Sequence, residues 1–373
     1  MPYFDYSAHT QADPSVLRRL VELEEHTIGN ANSAHQEGRA ANAVMASILE
    51  DIASLCKVSP EELILTSGAT ESNNLAVKGI AMASRHVGKH IISTAMEHSS
   101  VSACLTSLQA SGYEIDLVRV GSDGLIDTEE LRDLLRRDTC LVSISAVESE
   151  AGIVQPVEEI ASILASFPNT RLHIDTTQAI GKIPVSFAYG DTISFSPHKF
   201  YGLTGTGVLI RKKGVSLSPQ MEGGASTTPY RSGTPALSLS GSIVPALETA
   251  LKEQETHYQE VLKKNLFLKE QLSSIPSIRI NSSKHSIPHI LNLGIKGING
   301  RDLQKRLDEK GYCISVKSAC SSDLLPSRTV MAMYKDRRRA LEAVRISISH
   351  KTTEEELQGL AQALKDIAEE VVS

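Results

Sequence analysis

The chain is predicted to be an α/β protein with a mainly parallel, doubly covered sheet and a second, smaller α+β unit toward its C-terminus. Two observations carry that expectation. Between about residues 60 and 210, short β-rich runs alternate with amphipathic segments, the pattern of strands joined by helical crossovers. After Pro245 the alternation gives way to a long helical pattern, a few short strands and a terminal helix. The 373 residues suffice for two packed units, and 41% hydrophobic with 22% charged residues is the composition of an ordered globular chain.

In chain order, Leu63–Thr66, Ile91–Ser93, Leu141–Ile144, Leu172–Asp175 and Thr192–Phe195 read as strands. Asp127–Arg137 and Pro156–Phe167 read as covering helices, and Leu247–Leu272, Asp302–Lys310 and Thr353–Val371 as helices of the second unit. The boundary is expected near residue 250. Ligands of such sheets bind beyond the C-terminal ends of the strands, so the residues just after each run are the candidates for chemistry.

Charge narrows the function. Lys plus Arg number 38 against 44 Asp plus Glu, a net charge of -6, so no summed positive field favours nucleic acid or an anionic membrane surface. No run of about 18 apolar residues occurs, and Met1–Asp5 has no signal-peptide character, so a cytoplasmic location is expected. The five cysteines, Cys56, Cys104, Cys140, Cys313 and Cys320, are widely spaced and contain no C-x-x-C, which argues for free thiols rather than a disulfide or zinc framework.

Three segments can do chemistry. Thr66–Asn74 follows a strand and opens a helix; it reads either as a helix start capped by Ser67 or Thr70 or as an anion cup of free amides. Ser196-Pro197-His198-Lys199 stands at another strand end, where a desolvated lysine becomes a nucleophilic amine able to form a Schiff base. Asp175 closes an earlier strand, placed either to protonate a pyridine nitrogen or to cap the next helix. In Ser318-Ala319-Cys320, the polar setting and Lys317 favour a thiolate at Cys320, whereas Cys56, Cys104 and Cys140 sit in apolar contexts. His285 and His289 have metal-ligand spacing but no third ligand, Gly202–Gly207 reads as a turn before a strand, and Arg337–Arg339 as a solvated face.

In order along the chain, Tyr3-Phe4-Asp5, Gly29-Asn30, SGATESNN from Ser67, Glu97-His98, His173-Ile174-Asp175 with Gln178, SPHK from Ser196, RSGT from Arg231, SAC from Ser318 and Val344-Arg345-Ile346-Ser347 resemble the pyridoxal-phosphate (PLP) cysteine desulfurases of the NifS/IscS type, within the class V aminotransferase family. The resemblance spans nearly the whole chain. It implies the type I fold of PLP enzymes, with residues 13–250 as a large unit around a seven-stranded-type sheet and residues 1–12 with 251–373 as the small one.

The resemblance also implies roles. Lys199 would hold the cofactor covalently and move the substrate proton, with His98 stacked on the ring, Asp175 on its nitrogen and Gln178 on its hydroxyl. Ala69, Thr70, Ser196 and His198 would bind the phosphate, joined by Thr234 of the partner subunit in a homodimer. Arg345 would grip the carboxylate of L-cysteine, assisted by Asn30 and Ser149. Cys320 would take the sulfur as a persulfide, and the roughly 25 residues from it to Arg345 look like the long loop that carries sulfur to an acceptor, an iron–sulfur scaffold or a tRNA-thiolation enzyme.

Departures from the family pattern concentrate around the substrate. Ser149 replaces an asparagine in Glu148-Ser149-Glu150, Ala236 replaces another, and Lys317 replaces the glycine before Ser-Ala-Cys. Lys317 reads either as a surface charge or as a cation lowering the thiol pKa of Cys320. These leave open selenocysteine lyase or β-elimination chemistry on the same cofactor, or a PLP-binding assembly partner without turnover.

Overall fold

A computed structural model describes residues 1–224, 226–317 and 325–372. Seven strands, β1 (Leu63–Thr66), β2 (His90–Thr94), β3 (Glu114–Val118), β4 (Thr139–Ser145), β5 (Arg171–Asp175), β6 (Thr192–Phe195) and β7 (Gly207–Arg211), form one sheet in the order β1-β7-β6-β5-β4-β2-β3. From β6 to β3 every pairing is parallel, and β7 runs antiparallel to both β6 and β1. The central strands β4 and β6 are buried along their whole length, as expected where helices cover both faces. At the edge, β3 is buried only at Val118 and leaves Leu117 half exposed, which is why the sequence pattern there is faint.

A second, antiparallel sheet orders β10 (Ala343–Ser347), β9 (Ile290–Ile295) and β8 (Ile278–Ile280). Its apolar cluster joins Phe4 with Val261, Leu268, Leu293, Leu303, Val344 and Leu364. Phe4 reaches it because the N-terminal segment runs alongside: Tyr3 bridges to Cys313 and Asp5 to Ser347. The segment predicted as one helix from Leu247 is two, Ile243–Lys252 and Gln254–Ser273, broken at Glu253. The stretch after residue 324 is not one long loop, since it holds the helices Arg328–Tyr334 and Arg337–Glu342 before β10.

The parallel strands all deliver their C-terminal ends to one edge of the large sheet. There the turn after β1 is pressed against β7: a Cβ on Gly207 would lie 2.5 Å from the Gly68 Cα. Only glycine at 207 lets the two backbones meet.

Candidate active site

At that edge lies a cavity of about 300 Å³ lined, among others, by Ser7, Ala69, Thr70, His98, Ser149, Asp175, Gln178, His198, Lys199 and Arg345. Residues from five strand ends and from both termini of the chain therefore converge on one space.

The helix Ala69–Ala83 opens on Gly68 with no side-chain cap. Neither Ser67 nor Thr70 caps it, so the capped-start reading gives way to the anion cup: the first amides have no intrahelical acceptor, and Ala69 and Thr70 face the cavity. Ser196, fully buried behind this cup, donates to the Thr206 carbonyl at 2.9 Å and lies 2.8 Å from His198 Nδ1. Burial, reinforced by Lys199, pushes the His198 pKa down to about 4, so a neutral imidazole lines the cavity.

Lys199 ends the 3₁₀ turn Pro197–Lys199 after β6, and its Nζ donates to the carbonyls of Ser7 and Ala8, both at 2.7 Å. Across the cavity Asp175 is fixed from two sides: Oδ2 accepts from Asn73 Nδ2 at 2.8 Å, and Oδ1 from the Thr177 N–H at 2.9 Å. No helix lies between β5 and β6, so Asp175 caps a turn instead of a helix, and its carboxylate lines the cavity.

His98 caps the helix Ser99–Ala110. Its Nδ1 accepts from the Ser100 N–H at 3.1 Å and lies 2.9 Å from the Ser100 hydroxyl. With Nδ1 used as an acceptor, the neutral ring carries its proton on Nε2. Burial holds its pKa below the ordinary histidine value. The same hydroxyl accepts from Asn73 Nδ2 at 2.8 Å, and Asn73 Oδ1 accepts from His173 Nε2 at 3.0 Å. Asn73 thus ties His98, Asp175 and His173 into one buried network. Its place on the core face is visible in the sequence, where Asn73, Ala76, Val77 and Ile80 share a helical stripe, although its role was not read there.

Arg345, on β10 and 1% exposed, donates from Nη1 to the Ser149 carbonyl at 2.9 Å and from Nη2 to Asp5 Oδ1 at 2.9 Å, while its Nε is buried without a hydrogen-bond partner. Asp5 is a partner the sequence reading did not assign. Asn30 and Thr234 are exposed and lie outside the cavity lining. Their segments touch each other, Asn32 Nδ2 donating to Ser226 Oγ at 3.2 Å.

Cys320 lies outside the described residues. Cys56, Cys104 and Cys140 behave as expected of packed thiols: burial raises Cys56 to about 12 and Cys104 and Cys140 to about 11, whereas Cys313 is only partly buried. Lys317 is not a surface charge. It is 8% exposed and donates from Nζ to the Leu325 carbonyl. Arg339 also departs from the solvated-face reading, its guanidinium stacked 3.3 Å from the Tyr334 ring centre and bonded to Asn281.

Residues 2–360 match the family model for aminotransferase class-V, and the chain belongs to that family. It is 36% identical to the NifS/IcsS protein homolog of Lactobacillus delbrueckii, over 98% of this chain and 97% of the relative. It is also 36% identical to the cysteine desulfurase IscS of Neisseria meningitidis, over 97% and 91%, and to the human cysteine desulfurase, over 95% and 79%. Among solved structures it superposes on a NifS-like protein with a TM-score of 0.92 at 34% identity, covering 98% of each chain. A structure described as SspA in complex with cysteine follows at a TM-score of 0.81 and 27% identity, covering 95% of this chain and 100% of the other.

Proposed function

We propose that this chain is a PLP-dependent cysteine desulfurase, converting L-cysteine to L-alanine and passing the sulfur on. The observation that carries the reading is the convergence on one cavity of an amine (Lys199), a carboxylate (Asp175), an imidazole (His98), an uncapped helix start and a guanidinium (Arg345). That set fits the cofactor: the uncapped amides suit a phosphate, and the buried, unpartnered Arg345 Nε suits a carboxylate. The relatives named cysteine desulfurase, and the one solved with cysteine, support the substrate.

Bound PLP supplies the electron sink for negative charge developing at the substrate α-carbon. Ala69, Thr70, Ser196 and His198, with Thr234 of the partner subunit, would hold its phosphate, Asp175 its ring nitrogen, Gln178 its ring hydroxyl, and Lys199 its aldehyde carbon. Lys199 Nζ would take the α-proton and later return one to the α-carbon, and His98 Nε2 would move a proton at the substrate sulfur or carbon. Arg345, with Asn30 and Ser149, orients the substrate carboxylate. The Cys320 thiolate attacks the substrate sulfur and the Cβ–S bond breaks. Its electron pair goes to the substrate carbon, which is protonated, so that L-cysteine and the thiol become L-alanine and a Cys320 persulfide.

Residues 13–250 form the cofactor unit and residues 1–12 with 251–373 the small unit, a division supported by the separate apolar cluster that includes Phe4 and Leu364. A homodimer is supported by the exposure of Thr234 and by Ile28, 90% exposed on the segment that also carries Asn30. Among the described residues no helix is long and apolar enough to cross a membrane. Cytoplasmic delivery of the sulfur to an iron–sulfur scaffold or a tRNA-thiolation enzyme is part of the proposal.

Alanine release from L-cysteine by the PLP-loaded chain, measured beside Cys320→Ser, tests the reading. Alanine production with sulfur release lost in Cys320→Ser supports it. Full sulfur release by that variant in the presence of reductant would end the covalent role of Cys320.

A further inference from the structure

Lys182 stands immediately behind the cavity wall, 7% exposed, with its Nζ donating to Gln178 Oε1 at 2.9 Å. Among the described residues no carboxylate pairs with it, and the nearby charges of Lys199 and Arg345 have its own sign. On its far side a second cavity of about 30 Å³ is lined by Lys182, Lys199, Tyr201, His257, His289 and His350, with no acidic residue in its wall. Two buried polar atoms there, Ser7 Oγ and His289 Nδ1, have no hydrogen-bond partner. Burial and these like charges push the Lys182 pKa down to about 7.

A buried ammonium without a counter-charge is costly, and a methionine of similar length would fill the space without that cost. What distinguishes lysine here is its one strong acceptor. An ammonium has three donors and no acceptor, so in its charged form, which prevails below about pH 7, Lys182 can hold only the oxygen end of the Gln178 carboxamide. The nitrogen end is thereby turned the other way, where Nε2 donates to the Ser7 carbonyl at 2.8 Å and the side chain borders the main cavity. Ser7 is also an acceptor of Lys199, so one short chain of bonds runs from Lys182 through Gln178 and Ser7 to the cofactor lysine.

We propose that Lys182 is a positioning residue for the cofactor ring: it locks the Gln178 carboxamide so that an N–H, and not the carbonyl oxygen, meets the ring hydroxyl oxygen of PLP. This rests on the assignment of Gln178 to that hydroxyl. A carbonyl oxygen turned toward an oxygen anion would repel it, so the orientation bears on both the affinity for PLP and the electronic state of its ring.

The test compares wild type with Lys182→Met, Lys182→Arg, Gln178→Leu and the double variant Lys182→Met/Gln178→Leu. The readouts are the visible absorption band of the bound cofactor, its dissociation constant from the apo chain, the kcat and KM for L-cysteine, and the melting of the apo chain. Lys182→Met is expected to weaken PLP about tenfold, the scale of one charge-assisted hydrogen bond. It should also shift the band and lower kcat more than it raises KM, while the apo chain melts no lower. Lys182→Arg should recover most of the affinity, and Lys182→Met should add nothing in the Gln178→Leu background. An unchanged band and dissociation constant in Lys182→Met, or a full additional effect in the double variant, would overturn the proposal.

Should Lys182→Met fail to fold, Gln178→Glu tests the same point. It keeps an acceptor for Lys182 but has no N–H, so it is expected to raise the apo melting temperature and still weaken PLP. Undiminished PLP binding by Gln178→Glu would overturn the role. A wild-type chain that takes up no PLP would overturn the cofactor reading itself, an outcome separable from a variant that binds like wild type.

Discussion

Two buried titratable groups of opposite kind flank the cavity. On one side His198, His289, His350 and Lys182 are pushed by burial to shed their protons, His198 to about 4, His350 to about 3 and Lys182 to about 7. On the other side Glu97, Glu148 and Glu150 are pushed by burial to keep theirs, Glu97 to about 8 and Glu148 to about 7. Burial drives both toward neutrality, but their hydrogen bonding differs. Glu148 accepts from the Glu150 and Ala151 amides at 2.6 Å each and from Thr329 Oγ1 at 2.9 Å, and Glu150 accepts from Ser327 Oγ at 2.5 Å. Through Glu148 and Glu150 the acidic side fastens residues 327–329 to the large sheet, although Glu97 Oε2 is buried without a hydrogen-bond partner. The basic side has an orphaned ring nitrogen, on His289, and beside it a void of about 30 Å³.

The comparison can be broken in order of expected effect. Lys199→Ala should cut alanine release by at least about a thousandfold, while the apo chain still melts cooperatively. A variant with near-normal turnover would remove the amine from the chemistry. Next, Asn73→Leu strips partners from Ser100, His173 and Asp175 together and is expected to cost about 3 kcal/mol in urea unfolding. A loss below about 1 kcal/mol would mean that the network is held by something other than this amide.

The third prediction sets the two walls against each other through pH. For His173 and His198 the unfolded chain binds protons at 6.5 that the folded chain refuses until about 4, so stability falls as pH drops through that window. For Glu97 the folded chain keeps up to about 8 a proton that the unfolded chain releases at 4.5, so stability falls as pH rises from 4.5 toward 8. Each proton changes the slope by at most about 1.4 kcal/mol per pH unit. Glu97→Gln should therefore flatten the alkaline limb of a denaturation series and leave the acid limb in place. An unaltered alkaline limb would show Glu97 ionised in the folded chain.

The smallest effect is expected at Lys317. Lys317→Gly should slow alkylation of Cys320 near neutral pH by about twofold if the cation favours the thiolate. An unchanged alkylation rate beside lowered stability would assign Lys317 to the Leu325 carbonyl alone.

Much of this was legible in the sequence. The five strand runs and the candidates that follow them needed only local apolar pattern, and Ala69, Thr70, His98, Asp175, Gln178, His198 and Lys199 do meet. What escaped was set by long-range packing. Asp5 stood out only as part of the family motif Tyr3-Phe4-Asp5, and Ser7 and Ala8 received no role, because nothing local says that their carboxylate and carbonyls will meet Arg345 and Lys199. Lys317 and Arg339 looked like surface charges because sequence reports polarity and not the carbonyl or ring that tertiary structure supplies. The break at Glu253 was invisible because both flanking segments have good helix-forming residues.

The ion pair between Asp5 and Arg345 joins residues 340 positions apart. During synthesis on a ribosome the carboxylate emerges early and waits while nearly the whole chain is translated before its guanidinium exists. The large sheet can assemble vectorially, strand by strand, but the substrate pocket closes only in a late, high-contact-order step. A nascent chain stalled before β10 should therefore hold much of its sheet and yet be unable to grip an amino acid.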